Sequence, residues 1–274
     1  MNEELLRSVQ LTELSILREF KAICEQNNLR YFLCGGTMLG AVRHNGFIPW
    51  DDDVDVFMPY VDYISFLDIA DKTLDREKYF VQNYLTEDNF PSPFTKIRLV
   101  HTTFLDSNYK NWHIHHGIWL DIFPLINISK KKLRKTNVLL KAAKMMQMDD
   151  LIRSNPKVFT ELYGERMLGR LNLFYKLVPI RSRKKIHDLI IRHICKEKYT
   201  GYCVELTGNL KHIYPAKIFD TSKELEFENE LFTVPEDYDT YLKVCFGDYM
   251  KLPPVEQRVS VHADIIDLEK GYGE

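Results

Sequence analysis

Long apolar runs are missing from this chain of 274 residues. None reaches the roughly 18 residues that a membrane-spanning helix needs, so the sequence predicts a soluble or peripheral protein. Cysteine is scarce and scattered: Cys24, Cys34, Cys195, Cys203 and Cys245 are odd in number and form no Cys-x-x-Cys pair. Neither a disulfide framework nor a zinc ribbon is indicated, and a reducing cytoplasm is the compartment that fits. A strong excess of one charge is also missing. With 37 Lys and Arg against 39 Asp and Glu the net charge is −2, which argues against a dedicated nucleic-acid binder. The amino terminus lacks the basic start, apolar centre and small-residue cleavage site of a secretion signal. Repeats and low-complexity tracts are absent, and of the 12 glycines only Gly35 and Gly36 are adjacent.

What is present alternates between two periods. Leu5, Val9, Ile16, Phe20 and Ile23 recur at helical spacing and predict a long first helix ending near Asn27-Asn28. Tyr31 to Cys34 reads as a strand stopped by Gly35-Gly36, with Thr37 capping a short helix from Met38 to Arg43. Asp53 to Met58 alternates acid with apolar residues as a half-buried strand does, and Tyr60 to Lys72 returns to helical spacing. Phe94 to Val100 and Ile118 to Phe123 are two further strands. From about Ser129 the period becomes 3.6 and predicts helices near 130–152, 156–178 and 181–197, broken at Pro156 and Pro179. Strands at Cys203 to Leu206 and Leu231 to Val234, a helix at Glu236 to Phe246 and a turn at Pro253-Pro254 follow. The expected class is α/β (α+β) in three parts: a core with an amino-terminal helix over 1–128, a helical subdomain over 129–200, and a mixed segment over 201–274 that returns to the core.

The chemistry concentrates between Gly35 and Asp55. A glycine pair after a strand offers bare backbone N–H groups to a phosphate, and Asp53 and Asp55, at alternate strand positions, share a face on which a divalent cation relieves their repulsion. An EF-hand is excluded, because its sixth position would be Val56 and its twelfth Asp62. Asp121, among Trp119, Leu120, Ile122 and Phe123, needs a charged partner: it completes the metal site or takes a proton from an acceptor hydroxyl, or else pairs with Lys96 or Arg98. His113 and His115 would share a strand face able to hold a transition metal, but no cysteine or carboxylate stands at a supporting spacing. Basic runs at Lys130 to Lys135, Lys141, Lys144 and Arg181 to Lys185 are solvated helix faces or a surface for anionic lipids.

Three blocks carry a resemblance. Leu33-Cys34-Gly35-Gly36-Thr37, Pro49-Trp50-Asp51-Asp52-Asp53-Val54-Asp55-Val56 and Gly117-Ile118-Trp119-Leu120-Asp121-Ile122-Phe123-Pro124 resemble, in order, the signature blocks of the LicD/fukutin family of the nucleotidyltransferase-fold superfamily. Tyr241-Leu242, Phe246-Gly247-Asp248-Tyr249, Leu252-Pro253-Pro254 and Arg258 to His262 are more weakly similar to its carboxy-terminal block. The resemblance implies a mixed sheet with metal ligands at Asp53, Asp55 and Asp121 for Mg2+ or Mn2+. It implies transfer of a phosphoalkyl group, most often phosphocholine from CDP-choline, to a sugar hydroxyl of a teichoic-acid or lipopolysaccharide precursor, with CMP leaving. A lipid-linked acceptor would place the protein at the inner face of the plasma membrane. Arg43 and His44 occupy family positions, and Arg43 suits a clamp on the leaving diphosphate. Gly35, Gly36, Thr37, Lys96, Arg98 and His262 are the expected substrate contacts, with direct transfer or a covalent step at His44 or His262 both open. Choline has no hydrogen-bond donor and calls for aromatic faces, for which Trp50 and Trp112 stand first. CDP-ribitol or CDP-glycerol as donor, a nucleotide-sugar glycosyltransferase and a non-catalytic ion-binding module are the competing readings.

Overall fold

The computed structural model describes residues 2–196, 198–207, 210, 212–259 and 262–273, and within them all side chains but those of residues 108, 158, 162 and 163. Helix α1 (Glu3–Gln26) starts where the Asn2 side chain accepts the Leu5 N–H at 2.7 Å. It buries Val9, Ile16, Leu17, Phe20 and Ile23 as one stripe. Phe20 meets Tyr31 and Phe66 at centroid separations of 5.2 and 5.0 Å, which ties the helix to the core. The left-handed Asn28 (φ 53°) turns the chain into β1 (Phe32–Leu33). There follow α2 (Gly35–His44), β2 (Asp55–Pro59), α3 (Tyr60–Thr73), β3 (Tyr79–Gln82), β4 (Thr95–Leu99), β5 (Thr103–Leu105) and β6 (Trp119–Asn127).

The sheet order is β1-β2-β6-β4-β3, and only the β2–β6 pairing is parallel in that path. Asp55 therefore stands directly beside Asp121, and Lys96 opposite Asp121 on its other side. Strand β6 outruns β4, and its last residues pair with β7 (Tyr202–Glu205), which pairs with β8 (Tyr214–Pro215). A hairpin of β9 (Ser222–Phe227) and β10 (Glu230–Pro235) turns through Glu228 and Asn229, both at positive φ, and β11 (Ile265–Asp267) returns to pair with β5.

Between β6 and β7 the chain is helical, but in shorter pieces than its periodicity predicts. The span 130–152 divides into a 3-10 turn at Lys130–Lys132, α4 (Leu133–Met145) and α5 (Asp149–Ser154). Buried Gln147 causes the break by donating to the carbonyls of Tyr84 (3.1 Å) and Asp88 (3.3 Å). The span 156–178 divides at Gly164 (φ 77°) into α6 (Pro156–Tyr163) and α7 (Glu165–Leu177). Helix α8 (Ile180–Cys195) covers the last span, with residue 197 outside the described residues, and α9 (Tyr238–Phe246) lies near the carboxy terminus. Helices α4 and α8 pack on the far end of β6 through Ile126, Ile128, Leu140 and Ile191, while Met148, Ile152, Phe159 and Tyr175 form a separate cluster among α5, α6 and α7. Arg183 joins these helices, donating to both carboxylate oxygens of Asp149 at 2.8 and 2.9 Å.

Candidate active site

Residues 51–54 are extended but stand outside the strand ladder, so neighbouring groups must hold them. Gln10 of α1, 4% exposed, donates to the Asp51 carbonyl at 2.9 Å. The Asp121 N–H meets the Val54 carbonyl at 2.9 Å, and the Asp55 N–H donates to Thr37 Oγ1 at 2.9 Å. Val54 and Val56 are fully buried, and alternation turns Asp51, Asp53 and Asp55 toward a cavity of about 620 Å³. Arg43 and His262 add polar lining. Trp50, Phe246, Tyr249, Leu252, Pro253 and Pro254 form a largely apolar wall into which Asp248 and Lys251 are set.

Carboxylates crowded out of water resist ionisation. Burial first, then Asp53 and Asp52, push the Asp51 carboxyl up to about 7. Burial and neighbouring acids likewise raise Asp53, where His262 opposes the shift, and lift Asp55 well above the usual carboxylate range. His262 is instead favoured in its charged form, its pKa pushed up to about 9, because Nδ1 lies 2.5 Å from Asp52 Oδ1. A protonated His262 therefore neutralises Asp52, while its Nε2 stands 3.8 Å from Asp53 Oδ2. Asp55 Oδ1 is buried without a hydrogen-bond partner. That orphaned oxygen, with Asp53 two residues away, fits a hard divalent cation, and Asp121 Oδ1, also buried without a hydrogen-bond partner, stands on the neighbouring strand. Among the described residues no three His, Cys, Asp or Glu side chains converge as a closed metal cage, so further ligands would come from substrate phosphates and water.

The glycine pair has a different first task from the phosphate cradle expected of it. The Gly35 N–H already donates to Tyr241 Oη at 2.9 Å, and Gly35 opens α2 at φ 54°. A Cβ on Gly36 would stand 2.4 Å from Asp51 Oδ2, and one on Gly35 2.8 Å from Asp55 Oδ2. Glycine lets the acids close onto the helix start. Thr37 is neither the helix cap nor a substrate contact: it is 3% exposed inside the helix and braces the Asp55 backbone.

Other expectations are redistributed. Asp121 is 7% exposed, with Lys96 Nζ 2.7 Å from each carboxylate oxygen, though only Oδ2 receives it with hydrogen-bond geometry, and Trp119 Nε1–H donates to Oδ2 at 2.9 Å. Its place is therefore a buried ion pair beside Asp55, outside the cavity lining. Lys96 is fixed there over the Trp119 ring at 4.1 Å, and its ammonium pKa is lowered by burial despite Asp121. Arg98 is corrected from a substrate contact to a structural group: it is 5% exposed and donates to Gln82 Oε1 and the Gly117 carbonyl, both at 2.5 Å. Trp112 is corrected too, because it packs beside the α5–α7 cluster and bonds the Asn89 carbonyl, away from the cavity lining. Trp50 lines the cavity, but the Arg258 guanidinium lies 5.3 Å from its ring centroid and His44 meets it edge-on.

Arg43 is anchored by Nε to His44 Nε2 at 2.9 Å and by Nη1 to the Tyr249 carbonyl at 2.8 Å, leaving Nη2 unengaged among the described residues. As acceptor to Arg43, with its pKa lowered by burial and that guanidinium, His44 is a neutral support. His113 pairs with Asp150, His115 Nδ1 accepts the Gly117 N–H, and His116 bonds the Trp112 carbonyl, so the three imidazoles serve separate contacts. The sequence singles out Asp53 and Asp55 rather than Asp51 and assigns Phe246, Tyr249 and Leu252 no role, although the carboxy-terminal blocks mark their region. The weak block also spans residues 260 and 261, which lie outside the described residues.

An acidic strand run beside a glycine-started helix on a mixed sheet is an arrangement able to hold a phosphate-bearing substrate against a cation. The nucleotidyltransferase domain described as LicD/FKTN/FKRP matches residues 28–153. Over 277 aligned residues, 96% of this chain and 97% of the relative, the sequence is 30% identical to the lipopolysaccharide cholinephosphotransferase LicD of Haemophilus influenzae. Uncharacterized proteins of Rickettsia typhi and Rickettsia prowazekii are each 41% identical over shorter stretches, of 54 residues (20% of this chain, 18% of the relative) and 49 residues (18% of each). The chain belongs to the LicD/FKTN/FKRP family and is a transferase. No helix among the described residues is long and apolar enough to cross a membrane.

Proposed function

We propose that the protein transfers phosphocholine from CDP-choline to a sugar hydroxyl of a lipopolysaccharide- or teichoic-acid-type precursor, releasing CMP, with Mg2+ or Mn2+ held at Asp53 and Asp55. The observation that carries this reading is the two-sided cavity, in which Asp51, Asp53, Asp55 and Arg43 stand against a largely apolar wall of Phe246, Tyr249, Leu252, Pro253 and Pro254, with Asp248 and Lys251 set into it. A phosphate belongs with the charged lining. A trimethylammonium group belongs against Tyr249, Phe246 and Leu252, with Asp51 or Asp248 supplying opposite charge. Trp50 contributes a wall already shared with Arg258.

The bound cation would supply charge neutralisation on the diphosphate oxygens. Arg43 Nη2 holds a leaving-phosphate oxygen while Tyr249 and His44 fix the guanidinium plane. The acceptor oxygen bonds to the choline-bearing phosphorus as the phosphorus–oxygen bond to CMP breaks, and the hydroxyl proton passes to a cavity carboxylate. Asp51 takes that proton, because Asp121 is committed to Lys96. The exposed basic faces around Lys131 and Lys185 suit loose attachment to the inner face of the plasma membrane, where a lipid-linked acceptor would be met.

Thermal stabilisation tests the donor. CDP-choline with Mg2+ should raise the melting temperature more than CDP-ribitol, CDP-glycerol or a UDP-sugar, and little without Mg2+. A rise confined to UDP-sugars overturns the reading.

A further inference from the structure

Asn127 lies six residues beyond Asp121 on β6, roughly 20 Å along the strand. There the protein holds a second cavity of about 350 Å³, between the strand end, the start of α4 and the end of α8. Lys132, Lys135, Lys196, His193, Ser129 and Thr136 line it, and among the described residues no Asp or Glu does. Neither Lys135 nor Lys196 is engaged in an ion pair among the described residues.

The charge is of the wrong sign for its place. Helix α4 begins at Leu133 with no side-chain cap and no acid in its first turn, after three consecutive lysines and with Arg134 and Lys135 following. A helix start carries partial positive charge, so cations gathered there repel it, while an anion is attracted by both. Thr136 donates its hydroxyl proton to the Lys132 carbonyl at 3.1 Å, which leaves Ser129 and Asn127 as the neutral donors of the lining.

We propose that this cavity is a phosphate-recognition site, distinct from the acidic cavity and independent of the transferase reading, in which Lys135 and Lys196 grip a phosphomonoester or phosphodiester group. Such a group comes from a soluble phosphate or from a lipid headgroup.

The test uses the full chain, inorganic phosphate as probe, and two charge-matched pairs of substitutions at exposed lysines: Lys135→Gln with Lys196→Gln in the lining, and Lys72→Gln with Lys110→Gln outside it. Phosphate affinity, from thermal shift at low ionic strength, should fall about a hundredfold in the lining pair, about tenfold for each charge-assisted bond removed, and stay unchanged in the outside pair. Equal affinity in both pairs, or no stabilisation of the unsubstituted chain, overturns the proposal. Sedimentation with phosphatidylcholine vesicles, with and without phosphatidic acid, assigns the source. Loss of anionic-vesicle binding in the lining pair alone identifies a lipid headgroup. Unchanged vesicle binding beside lost phosphate affinity identifies a soluble phosphate.

Discussion

Glu13 sits one helical turn beyond Gln10 on α1, fully buried, and neither of its carboxyl oxygens has a hydrogen-bond partner. Burial and the field of Asp53, Asp52, Asp51 and Asp55 lift its pKa well above the usual range, so it stays protonated behind the acid run. An unpaired buried polar group costs about 1–3 kcal/mol. Glu13→Met is therefore expected to raise stability by about that amount, and Glu13→Gln to leave it nearly unchanged, in urea unfolding. A large loss in both variants would show that the carboxylate form is needed. His187 has the opposite dependence on pH. It is fully buried beside Tyr84, at a centroid separation of 4.2 Å, and burial lowers its pKa to about 4. Because its pKa in the unfolded chain is about 6.5, the unfolded state binds more protons between those values, so stability rises with pH there and is lost as the pH is lowered. At pH 5 this amounts to about 2 kcal/mol relative to pH 7. Acidification favours the folded state through the raised carboxyls of the cavity, so the comparison must be made against His187→Phe, whose unfolding midpoint should lose less between pH 7 and pH 5 than that of the unsubstituted chain.

At the scale of elements, α2 and the acid run were built to touch. Gly36 has ordinary backbone angles, so Gly36→Ala should keep the fold and gain helix propensity of up to about 1 kcal/mol, yet its Cβ must displace the Asp51 carboxylate. The expected outcome is a melting temperature near or above that of the unsubstituted chain, with kcat/KM lowered about tenfold or more. Unchanged turnover would remove the glycine–acid contact from the account. This contact shows where the sequence was legible and where it stopped. The acid–apolar alternation of Asp53 to Met58 and the helical stripe of α1 announce themselves, because each has one buried face and a fixed period. The reason for Gly36 does not, since it depends on a carboxylate 15 residues away folding back onto it. Short strands such as β5 and β11 were illegible for a similar reason: each is three residues long and exists through its partner 160 or so residues distant. The predicted helix over 130–152 failed because buried Gln147 spends its amide on the carbonyls of Tyr84 and Asp88, a tertiary contact that overrides helical spacing.

Over the whole molecule, a net charge of −2 conceals an acidic centre and basic helices. The acids crowd around one cavity while Lys130 to Lys135 and Arg181 to Lys185 lie beyond the far end of β6 and on α8. The carboxy-terminal segment closes the cavity: Tyr249 fixes Arg43, Tyr241 fixes Gly35 and His262 holds Asp52, so the site is shared between residues more than 200 positions apart. On the proposed reading, Asp53 and Asp55 hold a divalent cation whose coordination the nucleotide donor completes. Electron paramagnetic resonance of Mn2+, titrated with and without CDP-choline, tests it most directly. One ion should bind per chain, more tightly with CDP-choline present and at least tenfold more weakly in Asp53→Asn and Asp55→Asn. Equal Mn2+ binding by the unsubstituted chain and both variants would contradict it.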